Sequence, residues 1–209
     1  MVLIVFSTHL GIEYTDVDRF FPRFWNDKEK CLYDYIDGDF SSRDIRPNQL
    51  YAMGLPFKVL DEDKFAAVIQ VVQKHLLTPR GLRSLSPLHP DYHATYHGII
   101  TYRDSAYHQG TVWSHLIGIY TDALFATLRE EGRDEAMLIL NGFFRHLDEA
   151  GLGSVSEVFD GNAPHFPGGC IAQAWSVAEV LRCLDKTNAI QRSSALSAAG
   201  AARLSDGES

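Results

Sequence analysis

Between Asp61 and Pro79 the chain places Phe65, Val68, Ile69, Val72 and Leu76 at the i, i+3, i+4, i+7, i+11 spacing of one helix face. Asp61 stands where an N-cap is expected, and Pro79 closes the pattern. This rhythm constrains the fold more than any other feature, because an apolar stripe must be buried against a neighbouring element. It recurs. Ala136, Leu140, Phe143 and Leu147 form a second stripe ending near Gly151, and Ile171, Ala174, Trp175, Ala178 and Leu181 form a third. Thr111 to Leu128 is apolar nearly all round, as in a helix packed on several sides. Val17–Trp25, and Asn48–Leu55 after Pro47, are weaker candidates. About six helices result, joined by polar segments such as LTPRGLRSLSPLHP and FDGNAPHFPGG. No alternating pattern of useful length marks a strand. The expected fold class is all-α.

A length of 209 residues suits one domain or part of a larger one. The net charge of -8 disfavours nucleic acid and anionic membrane as partners, since both select basic surfaces. Cys31, Cys170 and Cys183 are odd in number and form no CxxC, which argues for reduced thiols rather than a disulfide framework or zinc knuckle. The N-terminal MVLIVF lacks a basic leader and a cleavage site, so no signal peptide is expected, and no run is long enough to span a bilayer. A cytoplasmic protein is expected. The Ala- and Ser-rich stretch 188–209 reads as a disordered tail.

Four stretches carry chemistry. His89, His93 and His97 would share one face of a helix and could bind a metal, but Pro90 argues for a loop, and no metal or other cofactor is assigned. Arg46 and Asn48 flank Pro47 at a helix start, either as an exposed cap or as groups lining a cleft. YHQGTVW sets Tyr107, His108, Gln109 and Trp113 around Gly110, at the mouth of the most apolar helix. It reads equally as a satisfied core or as a pocket for something polar and flat-faced. Finally, residues 154–176 carry Glu157 and Asp160 in a loop before the third stripe, with Gln173 and Trp175 following. Carboxylates among aromatic rings and amides suit sugar hydrolysis, in which one carboxylate activates water and the rings stack on pyranose faces.

In order along the chain, FWNDKEKCLYDYIDGD, RPNQLYAMGLPF, LLTPRGLRSLSP, RDSAYHQGTVW and SEVFDGNAPHFPGGCIAQAWSVAEVLR resemble the C-terminal amylo-α-1,6-glucosidase domain of glycogen debranching enzymes. The resemblance implies an (α/α)6 toroid that removes the α-1,6-linked glucose of a branch point by inversion, using two carboxyl groups roughly 6.5–9.5 Å apart. It places Glu157 as the general base. It places Tyr107, His108, Gln109, Trp113, Asp104, Arg46, Asn48, Gln173 and Trp175 around the sugar, in a branched α-glucan such as glycogen or limit dextrin.

The departures from that pattern set further expectations. The family's general acid is an Asp in a Trp-Met-Asp motif, and no such motif occurs here. Ser114-His115 stands where the family usually has Pro-Trp, and Gly168 where it usually has Arg. With about six helices, residues 17–187 are expected to form about half a toroid, with 1–16 unmatched. Half a ring would expose apolar patches and call for a second chain that supplies the other half and the acid. Two other readings stay open: an inactive fragment that only grips α-glucan, and an α/α-barrel sugar isomerase or epimerase using His108.

Overall fold

The computed structural model describes residues 22–188, so the segment 1–16 and the tail from 189 onward lie outside the described residues. The first two helical stripes fold as their spacing dictates. A 3-10 turn, Glu62–Lys64, leads into α2 (Phe65–His75), which buries Phe65, Val68, Ile69 and Val72. Asp61 sits at the cap position with extended backbone, but its side chain makes no capping bond. Arg133–His146 forms α5 and buries Ala136, Leu140 and Phe143. The run after Pro47 becomes a 3-10 turn, Pro47–Leu50, continued by the short α1, Tyr51–Gly54. Ile100–Tyr107 is α3.

α4 (Ile117–Leu128) is the centre of the molecule, with Ile117, Ile119, Tyr120, Ala123, Leu124 and Phe125 all buried. Its side chains share one apolar cluster with α1, α2, α5 and Cys183 of the last helix. Each fully buried side chain of this kind contributes roughly 1.5–3 kcal/mol relative to exposure.

That last helix, α6 (residues 174–188), turns a different face inward from the one expected. Ser176, Val180, Cys183 and Thr187 are buried, while Ile171, Trp175 and Leu181 are exposed. On the inner face Thr187 Oγ1 is satisfied within its own helix, donating to Cys183 O at 2.7 Å, whereas the buried Ser176 hydroxyl has no hydrogen-bond partner.

The all-α expectation is overturned, and with it the half-toroid. The described residues hold two two-stranded hairpins and one five-stranded antiparallel sheet. The hairpins pair β1 (Trp25–Asn26) with β2 (Cys31–Leu32), and β3 (Ile36–Asp37) with β4 (Phe40–Ser41). The sheet runs in order β5 (Leu77–Thr78), β6 (Gly81–Arg83), β7 (Val112–Trp113), β8 (Val158–Phe159) and β9 (Pro167–Gly168). Among the described residues no strand exceeds three residues, too short for a period of two to emerge, and β5, β6, β8 and β9 lie within Gly/Pro-rich or loop-like sequence. YHQGTVW is split by this: Tyr107 ends α3, and Val112–Trp113 is a central strand rather than the start of a helix.

Exposed apolar side chains occur on α5 (Leu138) and α6 (Leu181), but among the described residues nothing identifies a second chain that would cover them. No helix of the described residues is long and apolar enough to cross a membrane.

Candidate functional site

The sheet register builds the site. Trp113 pairs with Val158, so Glu157, the residue just before β8, meets the chain just past the end of β7. Ser114 fixes that junction: its N–H donates to Glu157 O at 3.3 Å, and its hydroxyl donates to Ser156 O at 2.6 Å. His146, fully buried at the end of α5, accepts the Ser156 N–H at Nε2 over 3.2 Å. That leaves Nδ1 as the donor towards Glu149 Oε2, 3.3 Å away. The backbone on which Glu157 stands is therefore held from two sides.

The carboxylate is held as firmly. Tyr107 donates its hydroxyl to Glu157 Oε1 at 2.6 Å, and the Cys170 N–H donates to Oε2 at 2.8 Å. Burial, then the hydrogen bond and charge of Glu157, push the Tyr107 phenol above the ordinary tyrosine range, so it stays a donor. Gly169 makes room: its φ is +68°, and a Cβ there would collide with Glu157 Oε2.

Aromatic rings line one side. Tyr107 stacks on Tyr96 (centroids 5.3 Å apart) and packs against Trp113 at 4.5 Å. His108 lies parallel to Trp113 at 5.4 Å, and His115 stacks on Trp175 at 4.4 Å. Trp113 is buried and donates its indole N–H to Tyr107 O at 2.9 Å. Trp175 is 48% exposed, so one indole is structural and the other is available to a ligand. Burial lowers the pKa of both His108 and His115, favouring neutral rings.

The remaining expected residues separate into groups. Arg46 is spent on the protein: it donates to His108 O (2.6 Å), Ser84 O (3.1 Å) and Gln109 Oε1 (2.6 Å), and pairs with Asp34 at 3.4 Å. Asn48 donates to Asp34 Oδ1 at 3.0 Å. Arg46 thus ties the turn after Tyr107 in place. Asp104 is exposed one helical turn before Tyr107 on α3. Gln173 precedes α6, and its N–H donates to Val155 O at 3.0 Å. His89, His93 and His97 diverge, to Asp44 at 3.2 Å, Ser105 O at 2.9 Å and Asp160 at 3.1 Å.

Sequence reasoning missed Tyr96 and the Cys170 N–H. Tyr96 stood in a segment read only for its histidines. A backbone donor carries no signature in residue type, although GG before Cys170 marks a place where backbone can approach closely.

A fold of helices around a small sheet, with a clamped carboxylate beside stacked rings, has the parts of a carbohydrate-processing protein. A model of the amylo-alpha-1,6-glucosidase family matches residues 14–182, more than half of the chain, and the chain belongs to that family. The resemblance to the C-terminal domain of glycogen debranching enzymes is thereby established, and the chemistry attached to the family is of the glucosidase type, on α-glucan.

Proposed function

We propose that Glu157 is the general base in inverting hydrolysis of the α-1,6-linked glucose at glycogen branch points, and that residues 17–187 form the unit that carries it. The supporting observation is the double clamp on its carboxylate, by the Tyr107 hydroxyl and the Cys170 N–H. A base that activates water must be aimed at one point, and two fixed donors aim it. Each carboxylate oxygen has a further lone pair, which leaves Glu157 able to accept a proton from water.

In this reading Trp175 and His108 present ring surfaces to glucose, Gln173 and Asp104 offer polar groups at the edge, and Trp113 backs the wall. Arg46, Asn48 and Gln109 hold the His108 turn in position. Asp160 has both carboxylate oxygens engaged, by the Tyr96 N–H at 2.7 Å and by His97 at 3.1 Å, and receives no acid role. The general acid is assigned to no described residue. A cytoplasmic setting, where thiols stay reduced, suits three free cysteines.

The test separates the base from the unassigned acid. α-D-Glucosyl fluoride carries a leaving group that needs no protonation, so its hydrolysis requires the base and water alone. Fluoride release by the intact chain should fall about 100-fold or more in Glu157→Gln. Equal release by the variant would remove Glu157 from the reaction. Isomerisation of a free reducing sugar that survives the substitution would instead favour a reaction at His108.

A further inference from the structure

We propose that Phe166 and His97 form a second sugar subsite, which takes the α-glucan chain bearing the scissile glucose. The proposal rests on the reading of Glu157 above for its substrate, and on separate geometry for its place.

Phe166 is a large apolar ring left 56% exposed on the hairpin that carries Glu157. Its carbonyl accepts the Asp160 N–H at 2.9 Å, while Glu157 N–H donates to Cys170 O at the hairpin's other end. Three residue steps, from Glu157 to Asp160, separate the two positions, roughly 10 Å. That is a distance a few linked sugar rings span.

His97 stands beside Phe166, with ring centroids 6.4 Å apart. Its side chain is 54% exposed, yet it is not left to rotate, because Nε2 lies 3.1 Å from Asp160 Oδ2. Asp160 is itself buried, and its other oxygen accepts the Tyr96 N–H at 2.7 Å. A buried carboxylate that fixes an exposed imidazole orders a surface group in advance, and this lowers the cost of ordering it on binding. With Nε2 turned to the carboxylate, the ring carries a second nitrogen that can meet a sugar hydroxyl. An apolar ring face beside an oriented ring nitrogen matches the C–H face and the hydroxyl edge of a sugar. The net charge of -8 gives no attraction to a phosphate backbone.

The pair is continuous with the Glu157 site. Tyr96, next to His97 in the chain, lies over Gly168 so closely that a Cβ there would sit 3.0 Å from its ring. The same ring stacks on Tyr107, which donates to Glu157. Tyr96 thus links the platform to the carboxylate, and in this proposal a glucan whose terminal glucose meets Glu157 lays its next rings against Phe166.

The test is binding, read without catalysis. The intact chain is run through native gels containing branched limit dextrin and titrated with maltoheptaose, alongside Phe166→Ala, His97→Ala and, as an exposed apolar control, Leu88→Ala. The wild type and Leu88→Ala should bind alike. Phe166→Ala should bind about ten-fold more weakly and His97→Ala several-fold, with thermal midpoints preserved. Equal binding by Phe166→Ala, or no binding by the wild type, would overturn the subsite. So would a sedimentation coefficient that changes in Phe166→Ala alone, which would mark the patch as a protein interface. Fluoride release unaffected by Glu157→Gln would remove the base reading and leave this comparison standing.

Discussion

At the scale of single residues, the role of Tyr107 follows from where its hydroxyl points. It donates to Glu157 rather than facing open solvent, so in the proposed reaction it positions the base. In Tyr107→Phe, Glu157 loses one of its two fixed donors while the ring packing stays. Fluoride release should fall by about 10- to 100-fold, since a small misplacement of a reacting group has that effect. The thermal midpoint should stay nearly unchanged; a large drop in it would make Tyr107 a packing residue instead. The converse experiment uses 13C-labelled tyrosine. In Glu157→Gln the Tyr107 phenol loses the neighbouring negative charge that helps hold its pKa up and meets at most a neutral acceptor, so it should ionise at lower pH than in the wild type. The cysteines divide similarly. Burial pushes the thiols of Cys31 and Cys183 up to about 11, whereas Cys170 is exposed beside Glu157. A thiol-disulfide reagent at pH 8 should modify one cysteine fast and two slowly. Two or three fast thiols would contradict the packing of α6 or of the first hairpin.

At the scale of elements, legibility followed length. α2 and α5 are long enough for a 3.6-residue period, and residues such as Val72 and Phe143 were placed inward correctly. α6 was found but turned the wrong way, because its inner face is made of Ser176, Val180, Cys183 and Thr187, only one of them a strongly apolar aliphatic. The strands had no readable period at two or three residues. Yet they bring Trp113, Glu157 and Cys170 together, so the candidate residues could be grouped from the sequence but their contacts could not. Gly142 shows how an element can carry a hidden constraint. Glycine inside a helix costs stability relative to alanine, roughly 0.5–1 kcal/mol, so its presence in α5 needs a reason. A Cβ there would collide with the backbone carbonyl of Pro79 in the β5–β6 turn, with the carbonyl carbon only 3.0 Å away. Gly142→Ala should therefore destabilise the protein by about 1–3 kcal/mol, measured by denaturant unfolding, despite the better helix propensity. A neutral or stabilising result would mean that the turn is free to move.

At the scale of the molecule, one buried histidine and three half-buried ones set the pH response. His75, His115, His146 and His165 all have pKa values lowered from 6.5, in each case first by burial. The unfolded chain takes up these protons near 6.5, while the native state still excludes them. Stability is thus complete above that value and declines as pH falls below it. The thermal midpoint at pH 5.5 should lie several degrees below that at pH 7.5, and a flat or rising midpoint would contradict the neutral assignment of these rings.

The role proposed for Glu157 is to activate the water in an inverting reaction. It is tested most directly by proton NMR of the first glucose formed from α-D-glucosyl fluoride, with the wild type and Glu157→Gln run side by side. β-Glucose should appear first with the wild type, before mutarotation, and the variant should form almost none. α-Glucose appearing first, or equal rates from both proteins, would contradict it.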